Sequence, residues 1–419
     1  MITPQFEVDQ DQDFIYVKIR APYIKASNVE FEVVDERFVF SLQPYYLRLT
    51  FPGKLIEDER LESSYDLSTS TIKCRVAKAV PGQEFEDLDM LTKLLAKKAQ
   101  VSKPVIEEVG DSAQSAQPPQ VDEIDWEVEQ VLPEPSISEQ KYGFNDQYSQ
   151  IMGVVIEDGQ NDINEIPEPE KTSIQQRLLI NSTADELFDI DHYLADLYDS
   201  PMIQDFLAWD PPLLELTNAD KDRMLKLPKR SYMISNPKHV YLGVVQLLFG
   251  FCYDDRTNCR DPTVESPWTI GKLTPLLSCL YGYYDRMLPL VRDCTKRALI
   301  FPLYRHWDLT LAVWKDVVSI LKQGRKAILA CFVKLLSIFE SDINACYRQI
   351  FLEDYAAWIQ YSSEKVISSV TTELESALSR LAKHDMGFDL EEYEEAAQEA
   401  MQMDNNELSV TAPDSDDED

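Results

Sequence analysis

The stretch "VYLGVVQLLFGFCY", Val240 to Tyr253, is the most apolar in the chain and decides how its second half is read. It is 14 residues long, and a membrane span needs about 20, so it suits a helix buried on all sides. Sequences around it keep the helical period. Leu187, Ile190, Leu194 and Leu197 recur at steps of three and four, with acids between them. "TADE" before Leu187 predicts an N-cap in which Thr183 accepts from the Glu186 N–H. Further helices are expected over Val240–Tyr253, Trp268–Arg286, Leu288–Ile300, Leu309–Gln323, Lys326–Phe339, Ile343–Gln360 and Ser363–Lys383. Pro and Gly punctuate them at "NPKH", "DPTVESP" and "FPLYR". No repeat of fixed period is found. Residues 141–385 therefore read as an all-α helical domain.

The opening residues follow a different period. "FIYVKIR" from Phe14, "EFEVV" from Glu30, "RFVFSL" from Arg37, "YYLRLTF" from Tyr45 and "STIKCRV" from Ser70 alternate apolar and polar side chains. Such alternation puts one face of a strand on a core and the other in water. Turn signals separate the runs. Residues 1–95 are expected to form an all-β sandwich of about seven strands.

Charge marks the borders. The net charge is −34, but it is not spread evenly. Residues 1–103 carry 17 acids and 14 bases, and residues 175–383 carry 26 and 24. Residues 104–174 carry 17 acids and 2 bases, and 384–419 carry 14 acids with no Lys or Arg. Two nearly neutral folded units, an acidic flexible linker over 96–140 and an acidic tail over 386–419, read first as frayed helix and then as disordered chain, account for this pattern. Pro, Gln, Ser and acids dominate the linker, and its few apolar residues show no sustained period. Trp126 is its one large anchor, either incidental or part of a docking motif. Ser415, in "PDSDDED", sits in the context an acid-directed kinase prefers.

Several classes fit poorly. "MITPQFEVDQDQDF" has no basic region and no apolar core, so no secretory signal is expected. The seven cysteines are odd in number, scattered and never in CxxC spacing, which argues for buried thiols over a disulfide framework or zinc site. Four histidines are too few and too scattered for a metal cluster. No GxSxG, HExxH or glycine-rich phosphate loop occurs. The reading is of a non-enzyme that needs no cofactor and no metal. "PLYRHWDL", 302–309, groups Arg305, His306 and Asp308 in a catalytic-looking way, but no nucleophile or metal ligand accompanies His306. Pro302 would open a helix running toward Trp314, with Leu303, Trp307 and Leu311 on one face. The motif then serves either as an aromatic hinge between helices or as a partner contact through Tyr304 or Arg305.

Two resemblances sharpen the picture. "FIYVKIRAPY", "YYLRLTFPGKL" and "TIKCRVAKAVPGQEFEDLDMLTKLL", in that order, resemble a CS domain, the sandwich of several co-chaperones and the small heat-shock proteins. "KYGF", "LFDIDHYLADLYD", "VYLGVVQLLFGFCYDDR", "VESPWTIGKLTPLLSCL", "FPLYRHWDL" and "DYAAWIQ" are similar to the helical domain of the Shq family, the assembly chaperones of H/ACA ribonucleoproteins. Together they span about residues 1–385. The resemblance implies a chaperone that holds the pseudouridine synthase subunit, dyskerin, before guide RNA loads. It would cover the RNA-binding face and PUA domain of that subunit as an RNA placeholder. The same resemblance implies the nucleus, chiefly the nucleoplasm, with some presence in the cytoplasm. It also implies a monomer that contacts neither nucleic acid nor membrane directly. A general CS-domain co-chaperone acting on a chaperone ATPase is the alternative.

A cover for a basic face should itself be acidic. Between Arg177 and Lys221 the chain has ten acids and no Lys or Arg, whereas Lys221 to Lys383 has 16 acids and 23 bases. The candidate partner-binding residues are accordingly Asp189, Asp191, Asp196 and Asp199, with Tyr304, Arg305, Trp307 and Trp358 as aromatic and arginine anchors.

Overall fold

The computed structural model describes residues 3–21, 29–42, 45–58, 60–66, 71–95, 130, 140–157, 162–211, 216–227, 232–341 and 344–410. Its contacts divide the chain into two units, Met1–Ile137 and Ser138–Asp419.

Alternating sequence produces strands in the first unit. In chain order these are β1 (Gln5–Gln10), β2 (Phe14–Arg20), β3 (Glu30–Val34), β4 (Arg37–Leu42), β5 (Tyr45–Thr50), β6 (Leu55–Ile56), β7 (Glu62–Asp66) and β8 (Thr71–Lys78). One sheet has the order β1-β2-β8-β6, with β7 also on β8, and the other is β3-β4-β5. All pairs are antiparallel, with Val17 opposite Cys74 and Phe40 opposite Leu47. Ile15, Val17, Ile19, Phe38, Phe40, Leu47, Leu49, Ile72 and Val76 are buried, the inward half of each alternation. Three of these strands were not read in the sequence. β6 has two residues, β7 reads "ESSYD", and β1 reads "QFEVDQ" with only two apolar positions. Each is recruited by a neighbour's hydrogen-bonding edge and has little apolar pattern of its own. A short helix, α1 (Leu91–Leu95), follows and buries Leu94 and Leu95.

The second unit is helical. It begins with α2 (Met152–Glu157), α3 (Ile174–Thr183), α4 (Ile190–Tyr198), α5 (Pro201–Ala208) and α6 (Asn218–Lys226). Helices α7 (Pro237–Thr257), α8 (Ser266–Leu273), α9 (Pro275–Ser278), α10 (Met287–Ile300), α11 (Trp307–Gln323) and α12 (Arg325–Ile338) form its middle. It ends with α13 (Ala345–Tyr347), α14 (Glu353–Ile359), α15 (Glu364–Leu378) and α16 (Leu390–Val410). A π-helical turn, 348–352, joins α13 to α14.

The apolar stretch behaves as its composition dictates. Every residue from Val240 to Asp254 on α7 is buried, and α8, α10, α11 and α12 pack around it. Trp314 of α11 stacks on Phe249 with ring centroids 4.2 Å apart, and its indole N–H donates to Thr295 Oγ1 at 3.0 Å. Among the described residues no helix is long and apolar enough to cross a membrane.

Four expectations need correction. The helix expected over 268–286 ends at Leu273, resumes only for α9 and is absent from 279–286. Pro275 has no N–H for the ladder, and Leu280 takes a left-handed φ of 49°. The helix expected from Pro302 begins at Trp307, because His306 caps it. Thr183 does not cap toward Glu186. Its hydroxyl donates to the Ile180 carbonyl at 2.7 Å, and Asp189 caps α4 by accepting from the His192 N–H at 3.1 Å. Finally, the start of the acidic tail is helical as its sequence suggests, but α16 is not a frayed end: it packs on α4. Tyr193 donates to Glu394 at 2.6 Å, and Leu390 is buried beside Tyr193, Leu299, Trp307 and Met386. Its apolar residues are few, but they meet a pocket that no local pattern reveals. The expected linker, apart from Gln130 and Gln140, and the last nine residues, 411–419, lie outside the described residues.

Candidate functional site

The acid-rich stretch folds into α4, α5 and the turns around them. The ten acids between Arg177 and Lys221 separate by environment. Asp196 is 8% exposed and accepts from the Arg305 backbone N–H at 2.6 Å. Asp220 is 2% exposed, caps α6 through Thr217 and pairs with Lys334 at 2.7 Å. Asp185 pairs with Lys296. Asp196 and Asp220 face inward and hold the fold, and the half-buried Asp185 ties its turn to α10. Glu215 lies outside the described residues. Glu186, Asp189, Asp191, Asp199, Asp205 and Asp210 are exposed. None of the six makes an ion pair among the described residues. Leu187, Met202 and Leu303 stand exposed on the same elements and the loop that Asp196 binds, at 61, 43 and 71%. The rim is therefore both acidic and apolar, a surface suited to a basic partner with apolar side chains.

"PLYRHWDL" is a joint. Its residues tie α4, α5 and α7 to the start of α11. Leu303 O lies 2.9 Å from His192 Nε2 of α4. Tyr304 packs edge-on against Phe206 of α5 at 4.8 Å, and its carbonyl accepts from the Tyr253 hydroxyl of α7. Arg305 is half-buried, and its Nε donates to the Pro302 carbonyl at 3.1 Å. His306 is buried, and its Nδ1 accepts from the N–H groups of Asp308 and Leu309 at 3.1 and 3.3 Å. An imidazole in that role must be unprotonated at Nδ1. Burial pushes its pKa below the ordinary range, against the opposing carboxylates of Asp308 and Asp196. Trp307 is buried in the cluster with Tyr193 and Leu390.

The candidate residues thus fall into three sets. Asp189, Asp191 and Asp199 lie together on and around α4, exposed. Asp196, Trp307 and Trp358 turn inward. Trp358 is 8% exposed, 4.9 Å from Tyr241 in an edge contact and 6.2 Å from Phe144. Tyr304 and Arg305 are half-buried in the joint. Sequence reasoning missed the exposed Leu303, which it placed on a buried helical face, and the capping role of His306.

"KYGF" is a clasp. The Tyr142 hydroxyl accepts from the Ile151 and Met152 N–H groups, both at 2.8 Å, and donates to Glu170 at 2.7 Å. Phe144 is fully buried, edge-on to Tyr355 at 4.9 Å. Six of the seven cysteines are buried and Cys259 is exposed, all as free thiols, and burial alone pushes Cys74 up to about 12. Among the described residues no group of His, Cys, Asp and Glu is placed to hold a metal ion.

The chain thus carries a strand sandwich followed by a helical unit with an acidic rim. Comparison with known proteins gives the family. The model "SHQ1-like, CS domain" matches residues 3–95, and "SHQ1 protein, Shq1 domain" matches 208–390. Protein shq1 of Schizosaccharomyces pombe is 38% identical over 442 aligned positions, covering 96% of this chain and 97% of that protein. The Mus musculus protein SHQ1 homolog is 33% identical, covering 95% of this chain and 75% of its own. The Caenorhabditis elegans homolog is 30% identical across 100 and 99%. The chain belongs to the Shq1 family, with an N-terminal CS domain.

Proposed function

We propose that this protein is an assembly chaperone of H/ACA ribonucleoproteins. It binds the dyskerin-type pseudouridine synthase on its RNA-binding face, including the PUA domain, and keeps the place of the guide RNA until loading. Membership of the Shq1 family supports the assembly role and a chaperone rather than an enzyme. The observation that carries the finer reading is the rim of exposed carboxylates around α4 and α5, with Leu187, Met202 and Leu303 among them. A surface that binds RNA phosphates is basic, and carboxylates at the edge of an apolar patch complement it. This reading places the protein in the nucleoplasm and, while the client is escorted, in the cytoplasm.

Competition titration tests it. Purified synthase bound to this chain should lose guide RNA in proportion to chaperone added. A stable ternary complex with fully bound guide RNA would sink the placeholder reading.

A further inference from the structure

Helices α7, α11 and α12 pack on one another, yet they leave a cavity of about 640 Å³ where the last turns of α7 meet the corner between α11 and α12. Protein interiors hold few voids larger than a water molecule, and a space of this size is typical of ligand pockets. The sequence itself leaves the room. Ala327 and Ala330 lie one turn apart on α12, and Ser319 lines the cavity from α11. Larger side chains at these three positions would fill much of it. Phe251, Ile320 and Leu216 give it an apolar lining. Residues 212–215, just before Leu216, lie outside the described residues.

The charged groups of the lining are of two kinds. Asp316 accepts from Arg256 Nε and Nη2 at 2.7 and 2.8 Å, and Asp255 pairs with Arg260 at 3.1 Å. These are the acids among the described lining residues, and each is already neutralised. Lys221 of α6 and Lys326 of α12 also line the cavity. Both are exposed, and neither makes an ion pair among the described residues. Apolar walls with two uncommitted ammonium groups complement an apolar group that carries negative charge beside it. The cavity is thus opposite in sign to the rim of α4 and α5, and a basic client does not account for it.

We propose that this cavity docks a segment of another protein that presents one bulky apolar side chain flanked by carboxylates. The apolar side chain enters between α7, α11 and α12, and the carboxylates beside it meet Lys221 and Lys326. An anchor side chain in a desolvated pocket supplies most of the affinity in such contacts. Charges at the lip choose the partner and speed the encounter.

Fluorescence anisotropy on the full-length chain tests this with a labelled peptide of two aspartates, a tryptophan and two aspartates. Binding should saturate. Replacing the tryptophan of the probe by serine should weaken it about tenfold or more, the effect of losing one large buried apolar side chain. Replacing the aspartates by lysines should abolish it. Ala327→Phe, which fills the cavity from a half-buried position, should weaken the first probe about tenfold as well. Lys221→Ala with Lys326→Ala changes two exposed side chains and should weaken binding several-fold at low salt and little at high salt. Thermal unfolding of each variant checks the fold, and the lysine pair decides the matter should Ala327→Phe not fold. No saturable binding would overturn the proposal. So would equal binding of the serine or lysine probe, or binding indifferent to the lysine pair. Displacement of the probe by a short oligouridylate, at lower concentration than the unlabelled peptide needs, would assign the two lysines to nucleic acid and overturn it as well.

Discussion

Helices α7 and α4 carry acids in opposite circumstances. α7 is surrounded, and its one fully buried acid, Asp254, is 2% exposed with Asn258 and Ser266 as hydrogen-bonding neighbours. Among the described residues no cation pairs with it, and burial pushes its carboxyl up to about 6. α4 lies at the rim, and its acids divide within one helix and its caps. Asp196 faces inward and fixes a neighbouring loop, while Asp189, Asp191 and Asp199 face water. An acid near the apolar centre is tolerated by staying protonated or finding donors. An acid on the outer face costs the fold almost nothing and is free to act on a partner.

The sharpest way to break this contrast is Phe249→Ala. The ring is fully buried and stacked on Trp314, so loss of packing and the cavity left behind should cost about 3–5 kcal/mol in chemical denaturation. An effect under about 1 kcal/mol would mean that α7 is not the centre of the unit.

Asp254→Asn works the other way. A carboxyl whose folded pKa is raised contributes stability below its unfolded value of about 3.9, and that stability is lost as pH rises through about 6. Above pH 6 the wild-type domain carries the cost of an ionised buried group or of keeping it protonated. The amide removes it, so the variant should be more stable at pH 8 by on the order of 2 kcal/mol, with the gain vanishing near pH 4. Thermal unfolding at the two pH values checks the sign.

Asp196→Asn should lower stability by about 1 kcal/mol, since a neutral acceptor holds the Arg305 N–H less strongly than a carboxylate. His306 gives a smaller, pH-dependent effect. Its folded pKa is lowered, so its contribution is full above the unfolded value of about 6.5 and is lost as pH falls below it. His306→Asn keeps an N-cap acceptor that does not titrate, and the unfolding curve should lose that part of its slope between pH 5 and 7.

The outer acids complete the comparison. Asp189, Asp191 and Asp199 changed together to Asn should alter stability by no more than about 0.5 kcal/mol, and Asn still caps α4. Association with the synthase should slow, with a weaker dependence on salt, because steering by exposed charge is screened beyond about 8–10 Å. Truncation after Val410 is the control for the charged end. If truncation removes the salt dependence and the Asn variants do not, the end of the chain supplies the steering and the rim of α4 is an ordinary solvated face.

Much of the architecture was legible because its elements carry strong periods. β2, β4, β5 and β8 alternate cleanly, and α7, α10, α11 and α12 bury faces spaced at three and four. Elements without a period of their own escaped: β6 and β7, which borrow hydrogen bonds from β8, and the break at 279–286, which depends on Leu280 adopting a left-handed turn. The candidate site was half legible. Composition located an acidic stretch, but a count of charges cannot tell Asp196 from Asp199, three residues apart, when only the packing of the 302–306 loop separates them. Trp307 and Trp358 were chosen because Trp anchors interfaces, and the same size and apolar area put them in the core.

The sequence by itself determined two units of different class, the deep burial of Val240–Tyr253 and where negative charge concentrates along the chain. These follow from period and composition, which act locally. Only the tertiary structure decided which carboxylates reach solvent, that His306 caps a helix, that α16 packs back onto α4, and that Gln130 hydrogen-bonds β5 some 80 residues before it in the chain. Each depends on groups far apart in sequence meeting in space, and a hydrogen bond or a buried face has no meaning until both partners are in place.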